Sequence, residues 1–182
     1  MKKRVLLKET EKMTVYQPAL FFENQLIHAR NKNLQRMLHS PVQPSCRLEE
    51  VSRFGGVIFL DDTYTSDIES LYYSLEKIKH PILWITYGGD SHVNYNSVLQ
   101  LVVEKVKTII CLGKNNGSLK AAFAPYVDTI YECNSMGHAV KTAFYSADRD
   151  DAVLLSSVDD GSALCSGGES LSEMFRKSIS EL

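Results

Sequence analysis

Carboxylate and hydroxyl side chains are concentrated in one short segment of the chain, Asp61-Asp62-Thr63-Tyr64-Thr65-Ser66-Asp67. The segment follows an apolar run at residues 57–60 and precedes a stretch whose apolar residues recur at helical spacing. Open α/β sheets bind their ligands at such turns between a strand and a helix. We therefore expect hydrogen bonds to a polar ligand here; the alternative is a solvated turn whose aspartates favour the start of the next helix.

A second polar segment, Tyr87-Gly88-Gly89-Asp90-Ser91-His92, follows the next apolar run. Its two glycines allow a tight turn and let main-chain N–H groups approach a ligand. His92 could contact an anionic ligand, although a single loop histidine is more often a surface residue. The spacing of His, Cys, Ser and acidic residues matches neither a metal site nor a nucleophile with its base, so we predict no catalytic residue and no metal ion.

Other polar residues of these loops also have two interpretations. The ring of Tyr64 could stack on a planar ligand or pack on the core. Ser66 fits a helix N-cap better than a ligand contact. Asp159 and Asp160 could bind a cation, but an acidic pair in a loop rich in glycine and serine is more often solvated.

Apolar runs of strand length alternate with helical patterns from residue 57 onward, which indicates βαβ units and a parallel sheet. We place strands at residues 57–60, 82–86, 108–112, 129–133 and 152–156. The expected fold is a Rossmann-like, mostly parallel sheet of about five to six strands with helices on both faces. Its carboxyl edge would bring the two polar segments together.

Helix starts are indicated by capping residues. We expect Ser66-x-x-Glu69 and Ser170-x-x-Glu173 to be capping boxes and Ser135 to open a third helix. A helix with Val98, Leu101, Val102 and Val106 on one face is expected between the second and third strands. A short helix is expected within residues 113–123, after a flexible Lys-Asn-Asn-Gly turn.

The composition favours one main globular domain. The chain has 182 residues, of which 44% are hydrophobic and 23% charged, with a net charge of −2. Mixed charges give no electrostatic reason to expect nucleic acid or an anionic membrane as partner. Four widely spaced cysteines and the lack of a long apolar span favour the cytoplasm. Residues 1–44 interrupt the alternation of strands and helices, so we assign them to an appendage and residues 45–182 to the α/β domain.

Five pieces of the sequence, taken together and in order, resemble the C-terminal domain of the Mur ligases. They are Ser45-Cys46-Arg47-Leu48-Glu49-Glu50-Val51 with Gly56 to Tyr64, then Tyr87-Gly88-Gly89-Asp90, Ile110-Cys111-Leu112-Gly113, Ser135-Met136 to Ala139, and Val153-Leu154-Leu155-Ser156. The resemblance is strongest to the branch that adds D-glutamate. That family adds amino acids or peptides to a UDP-linked muramic acid precursor of peptidoglycan.

The resemblance implies an ATP-dependent reaction, in which a phosphorylated carboxylate is attacked by an amine. It also implies that Asp62, Tyr64 and Asp67 face the nucleotide, and that Ser66, His92 and Ser156 face the substrates. The chain contains no Gly-x-x-x-x-Gly-Lys-Ser/Thr phosphate loop. We therefore expect ATP and magnesium only within a complete ligase, none with the isolated chain, and a separate ATPase-domain protein, the UDP-muramyl precursor and an amino acid as partners.

The sequence departs from the family where the amino acid would bind. His92 stands where the glutamate-adding branch commonly has a lysine, and Asp159-Asp160 would repel an incoming carboxylate. The domain is therefore expected to be degenerate and inactive alone. The alternative is a non-enzymatic protein-interaction module built on the same fold.

Overall fold

The computed structural model describes residues 48–64, 67–87, 93–114, 116–158 and 169–182. All of them belong to one compact unit, Val42–Leu182. The appendage predicted over residues 1–44 lies outside the described residues and remains a prediction. None of the helices in the described ranges combines the length and the apolar character needed to span a bilayer.

In the described part of the chain six strands form a single sheet, as predicted for a Rossmann-like α/β domain. They are β1 (Glu49–Phe54), β2 (Val57–Asp61), β3 (Ile82–Tyr87), β4 (Val106–Leu112), β5 (Thr129–Cys133) and β6 (Ala152–Leu155). Their order across the sheet is β1-β2-β6-β3-β4-β5. All neighbouring pairs are parallel except β1 with β2, which form an antiparallel pair joined at Gly55 and Gly56. The five predicted strands are confirmed, and β1 is the additional edge strand.

Five α-helices within the described ranges connect or follow the strands. They are α1 (Ile68–Lys77), α2 (Leu99–Lys105), α3 (Gly117–Phe123), α4 (Met136–Ser146) and α5 (Leu171–Ser180), with a short 3₁₀ turn at Tyr95–Ser97. The short helix expected within residues 113–123, after a Lys-Asn-Asn-Gly turn, is α3, which begins at Gly117. Val106 is the first residue of β4 and not part of α2, because the chain enters the buried strand directly from the last turn of the helix.

Two of the three predicted helix starts are confirmed. Ser135 accepts a hydrogen bond from the main-chain N–H of His138, and Ser170 with Glu173 forms the expected capping box. The prediction for Ser66 is wrong, because Asp67 is the N-cap of α1. Its carboxylate accepts from the N–H groups of Glu69 and Ser70 at 3.0 and 2.8 Å. A carboxylate satisfies two N–H groups and also carries the negative charge that a helix start favours.

The helices cover both faces of the sheet, as predicted. Helices α4 and α5 pack on one face, through Met136, Ala139, Val140, Ala143, Leu171 and Phe175 against Phe59, Leu83, Ile85, Ile110 and Leu155. Alternate strand residues point to the other face. There the Trp84 ring contacts that of Phe123 from α3, with centroids 5.7 Å apart, while α1 and α2 contact each other. We call the face covered by α4 and α5 the α4 face, and the opposite face the α1 face.

The position of β6 creates a topological switch point. It lies between β2 and β3, although it is the last strand in the sequence. The helices after β2 and β3 lie on the α1 face, whereas α5, which follows β6, lies on the α4 face. Chains that diverge in this way leave a crevice at the carboxyl ends of the strands, where open α/β sheets bind ligands. The Asp61–Tyr64 turn lies at this crevice.

Candidate functional site

The two consecutive aspartates at the end of β2 point in opposite directions. Asp61 is the last residue of the strand, and neighbouring side chains of a strand alternate between faces. Asp61 contacts α5 on the α4 face, and Asp62 contacts α1 on the other face. Both side chains are completely buried. The carboxylates therefore form part of the interior and are not a solvated acidic pair.

Asp61 holds the turn against α5. One carboxylate oxygen accepts hydrogen bonds from the main-chain N–H and the hydroxyl of Thr63, at 3.0 and 2.8 Å. The other accepts from the hydroxyl of Ser172 and lies 3.9 Å from a guanidinium nitrogen of Arg176. Arg176 also bonds Glu49 of β1 at 2.9 Å. A buried carboxylate requires such donors, so Asp61 is better suited to shaping the turn than to binding a ligand.

Asp62 joins three elements on the α1 face. Its Oδ2 accepts a hydrogen bond of 2.5 Å from Ser74 of α1 and one of 3.4 Å from the hydroxyl of Ser156. Its main-chain N–H donates to the carbonyl of Leu155 at 2.9 Å. Asp62 and Ser156, which were predicted separately from distant parts of the sequence, are thus brought into direct contact.

Ser156 is fixed by its main chain as well as its hydroxyl. Its N–H donates to Ile85 at 3.1 Å, and its carbonyl accepts from the indole N–H of Trp84 at 3.0 Å. The hydroxyl of Ser157 donates to the carbonyl of Tyr87 at 3.3 Å. These bonds close the gap between β6 and β3, so the base of the crevice is formed by main chain and short hydroxyl side chains.

The strand register places a polar side chain at the carboxyl end of each of five strands. Asp61 and Ile85 both pair with Leu155, Thr86 pairs with Cys111, and Cys111 pairs with Glu132. Extending the first two pairs by one residue aligns five side chains on the α1 face. We call this set the carboxyl-edge row: Asp62, Ser156, Thr86, Cys111 and Glu132. The first four are buried.

At the β5 end of the carboxyl-edge row, an ion pair and a hydrogen bond hold the side chain of Glu132. The carboxylate of Glu132 accepts from Lys120 at 2.8 Å and from the side-chain amide of Asn116 at 3.3 Å. These bonds hold the pKa of Glu132 below its ordinary value. Burial raises the pKa of Cys111 to about 12, and the nearby charge of Glu132 adds to this. The thiol is therefore protonated at neutral pH and is not an activated nucleophile.

The remaining predicted site residues have different surroundings. Tyr64 is 62% exposed, so its ring is not part of the buried core. Asp67 uses both carboxylate oxygens within α1, because Oδ2 also accepts from the hydroxyl of Ser70 at 2.7 Å. Ser66 and His92 lie outside the described residues. Within the described ranges no group of three or more His, Cys, Asp or Glu side chains could hold a metal ion.

Several residues of the site were not predicted from the sequence. Ser74 and Ser172 donate to the buried carboxylates, and Thr86 lies in the row. Ser74 could have been recognised from the sequence, because it lies on the apolar side of α1 between Leu71 and Ile78, where an exposed serine is not expected. Thr86 could not have been recognised in this way, because its position in the carboxyl-edge row depends on the pairing of β3 with the neighbouring strands.

A mostly parallel sheet with a polar turn at its switch point defines an α/β domain of the Rossmann-like class, whose members bind ligands at this position. Proteins of similar sequence define the family more narrowly than the fold does. The UDP-N-acetylmuramoylalanine–D-glutamate ligase of Christiangramia forsetii is 33% identical over 159 residues, which are 87% of this chain and 36% of the ligase. The same ligase of Cytophaga hutchinsonii is 36% identical over 136 residues, 75% of this chain and 30% of that protein. The chain is therefore a homologue of the Mur ligases, matching their C-terminal part.

This chain spans about a third of the length of these relatives. No protein-family model matches it. Among solved structures, the MurF ligase of Thermotoga maritima in complex with ADP is 12% identical, covering 78% of this chain and 32% of that one, with a TM-score of 0.44. The fold assignment rests on the strand order and not on this likeness.

Proposed function

We propose that residues 45–182 act as the C-terminal, nucleotide- and substrate-facing domain of a Mur-type ATP-dependent amide ligase in peptidoglycan precursor synthesis. The observation that carries this proposal is the 33% identity to a D-glutamate ligase over 87% of the chain. The polar turn at the switch-point crevice supports it, because this is where such a sheet binds ligands. The proposal places the chain in the cytoplasm.

The residues of the turn fit a nucleotide base better than a phosphate group. The exposed ring of Tyr64 offers a surface on which a base could stack. Asp62 is buried and bonded to Ser74 and Ser156, so it would act mainly by fixing the position of Tyr64. Asp67 places a negative charge at the start of α1, beside the turn. ATP with magnesium supplies carboxylate activation when bound in a complete ligase.

The 182 residues contain no phosphate loop of the Gly-x-x-x-x-Gly-Lys-Ser/Thr type, whose N–H groups and lysine would grip the β and γ phosphates. We infer that activation depends on an ATPase domain, joined to this one or carried by a separate protein. In that assembly Ser66 and His92 would face the UDP-muramyl precursor or the amino acid, and Ser156 would shape their side of the crevice. The isolated chain would be inactive and would not bind D-glutamate measurably.

The test is a hybrid enzyme. Residues 45–182 replace the matching part of the C. forsetii ligase, and ADP release is measured with UDP-N-acetylmuramoyl-L-alanine and D-glutamate. We expect ADP release from the hybrid and none from the isolated chain. Tyr64→Ala in the hybrid should raise the KM for ATP several-fold, whereas Tyr145→Ala, an exposed tyrosine on α4, should leave it unchanged. ATP turnover by the isolated chain, abolished by Asp62→Ala, would overturn the proposal.

A second candidate function is a non-enzymatic interaction module. It is favoured by the inward direction of Asp61 and Asp62, whose carboxylates are satisfied by hydroxyl groups of the same domain. A turn whose polar groups are satisfied without a ligand is expected in a domain that has lost its binding function and kept its fold. A hybrid that folds, as judged by the emission of Trp84, but releases no ADP would favour this candidate.

A further inference from the structure

A continuous series of hydrogen bonds joins α5 to the polar turn after β2. The Nε of Arg176 donates to the hydroxyl of Ser172 at 3.4 Å, and that hydroxyl donates to Oδ2 of Asp61. Oδ1 of Asp61 accepts from the main-chain N–H and the hydroxyl of Thr63, at 3.0 and 2.8 Å. We call these four residues the α5 network. It begins at an exposed side chain on α5 and ends at the residue before Tyr64.

The bonds at Asp61 set the course of the main chain through the turn. A carboxyl oxygen that accepts from the N–H two residues later forms an Asx turn, which fixes how the main chain leaves the strand. Asp61 is completely buried, so a side-chain oxygen without a donor would be costly, and Ser172 supplies the hydroxyl that satisfies Oδ2. Loss of that hydroxyl should therefore loosen the Asx turn.

Arg176 is held by a second element besides α5. Its Nη2 bonds the carboxylate of Glu49, the first residue of β1, at 2.9 Å. The same nitrogen lies 3.9 Å from Oδ2 of Asp61. The guanidinium is thus fixed between β1 and α5, beside the oxygen that Ser172 satisfies. Hydrogen bonds in such a series strengthen one another, so we expect Arg176 and Ser172 to act on the turn together.

Tyr64 follows the α5 network directly in the sequence. Thr63 before it is bonded twice to Asp61, whereas the ring of Tyr64 is mostly exposed and is not fixed by burial in the core. We propose that Ser172 and Arg176 are positioning residues, which orient Tyr64 toward a nucleotide base through the turn. This deepens the proposed function and rests on it, because that function assigns the base to Tyr64.

The hybrid ligase gives the functional readout. Ser172→Ala and Arg176→Ala should each raise the KM for ATP several-fold, by no more than Tyr64→Ala does, with kcat nearly unchanged, because they affect nucleotide binding and not the chemical step. Ser172→Thr keeps the hydroxyl and should restore the parent KM. Ser180→Ala is the matched control on α5, because this serine donates to a main-chain carbonyl of its own helix, and its KM should be unchanged.

A double-mutant cycle in the hybrid separates positioning from a general structural defect. If Ser172 acts through Tyr64, Ser172→Ala should raise the KM in the parent hybrid and add nothing in the Tyr64→Ala background. A merely structural defect would raise the KM in both backgrounds. The emission of the buried Trp84 shows whether each variant is folded.

The full 182-residue chain, labelled with ¹⁵N, tests the α5 network without catalysis. The amide of Thr63 should exchange faster with solvent in Ser172→Ala and Arg176→Ala than in the parent chain or Ser180→Ala, because its bond to Asp61 is loosened. Unchanged exchange, an unchanged KM in an active hybrid, or equal KM effects in both backgrounds of the cycle would each overturn the positioning role alone. A folded parent hybrid that releases no ADP would instead overturn the proposed function, and the positioning role with it.

Discussion

The short hydrogen bond between Ser74 and Asp62 should be a measurable part of the stability of the domain. Ser74→Ala removes the hydroxyl that lies 2.5 Å from the buried carboxylate, while the 3.4 Å contact from Ser156 stays in place. A hydrogen bond to a charged group contributes about 1.5–3 kcal/mol. Because the contact from Ser156 stays in place, we expect a loss of about 2 kcal/mol out of a total of roughly 5–15 kcal/mol. This corresponds to a decrease of about 6–8 °C in Tm.

Urea unfolding followed by tryptophan emission is a suitable assay. Trp84 is the only tryptophan, it is completely buried, and its indole donates to Ser156 beside the site. Ser178→Ala is the matched control, because this serine is also buried on a helix but bonds only a main-chain carbonyl, that of Met174, at 2.7 Å. We expect its cost to stay below about 1 kcal/mol.

A double-mutant cycle separates the charge from the packing. Asp62→Asn removes the negative charge that makes the Ser74 hydroxyl valuable, so Ser74→Ala should cost much less in that background, with a coupling energy of about 1 kcal/mol or more. Additive effects, or a Ser74→Ala cost no larger than that of Ser178→Ala, would refute the reasoning that Asp62 is clamped as a buried carboxylate.

Two further predictions concern titratable groups. Hydrogen bonds from the main-chain N–H and hydroxyl of Ser170 lower the pKa of Glu173, so the stabilisation is present above the ordinary value of 4.5 and is lost as the pH falls through the folded-state pKa. Thermal melts below pH 4.5 should therefore show a smaller decline for Glu173→Gln than for the parent chain or for Glu181→Gln, and equal declines would contradict it. Burial raises the pKa of Cys111 to about 12 and also raises that of Cys133, so iodoacetamide at pH 8 should modify neither until urea is added, as mass spectrometry of tryptic peptides can show; modification of the native chain would count against their burial.

Most of the strands that could be predicted from the sequence are those whose apolar residues are continuous. β2 and β6 are buried along their whole length and β3 in all but its last residue, and a run such as Ile82-Leu83-Trp84-Ile85 has no other stable location. β1 was missed because Glu49-Glu50-Val51-Ser52-Arg53-Phe54 is largely polar and pairs on one side only. An exposed edge strand is defined by its partner more than by its own pattern.

The candidate site could be predicted only in part, because some of its contacts depend on how the strands pair. The turn from Asp61 to Tyr64 could be found because its polar residues are adjacent in the sequence. Which direction each aspartate faces depends on strand alternation, and the contact of Asp62 with Ser156 depends on register across 94 residues. The N-cap was misplaced by one residue because Ser66 and Asp67 are both good capping types, and local preference alone does not separate them.

The late place of β6 in the sequence has a consequence for synthesis of the protein. Until residues 152–155 leave the ribosome, β2 and β3 have no common neighbour, and the growing chain holds two separate pieces, a β1–β2 hairpin and a β3–β4–β5 ribbon. Each piece exposes an unpaired inner edge that is prone to mispairing. β6 pairs with both pieces, so the base of the crevice cannot form before residues 152–155 have been synthesised.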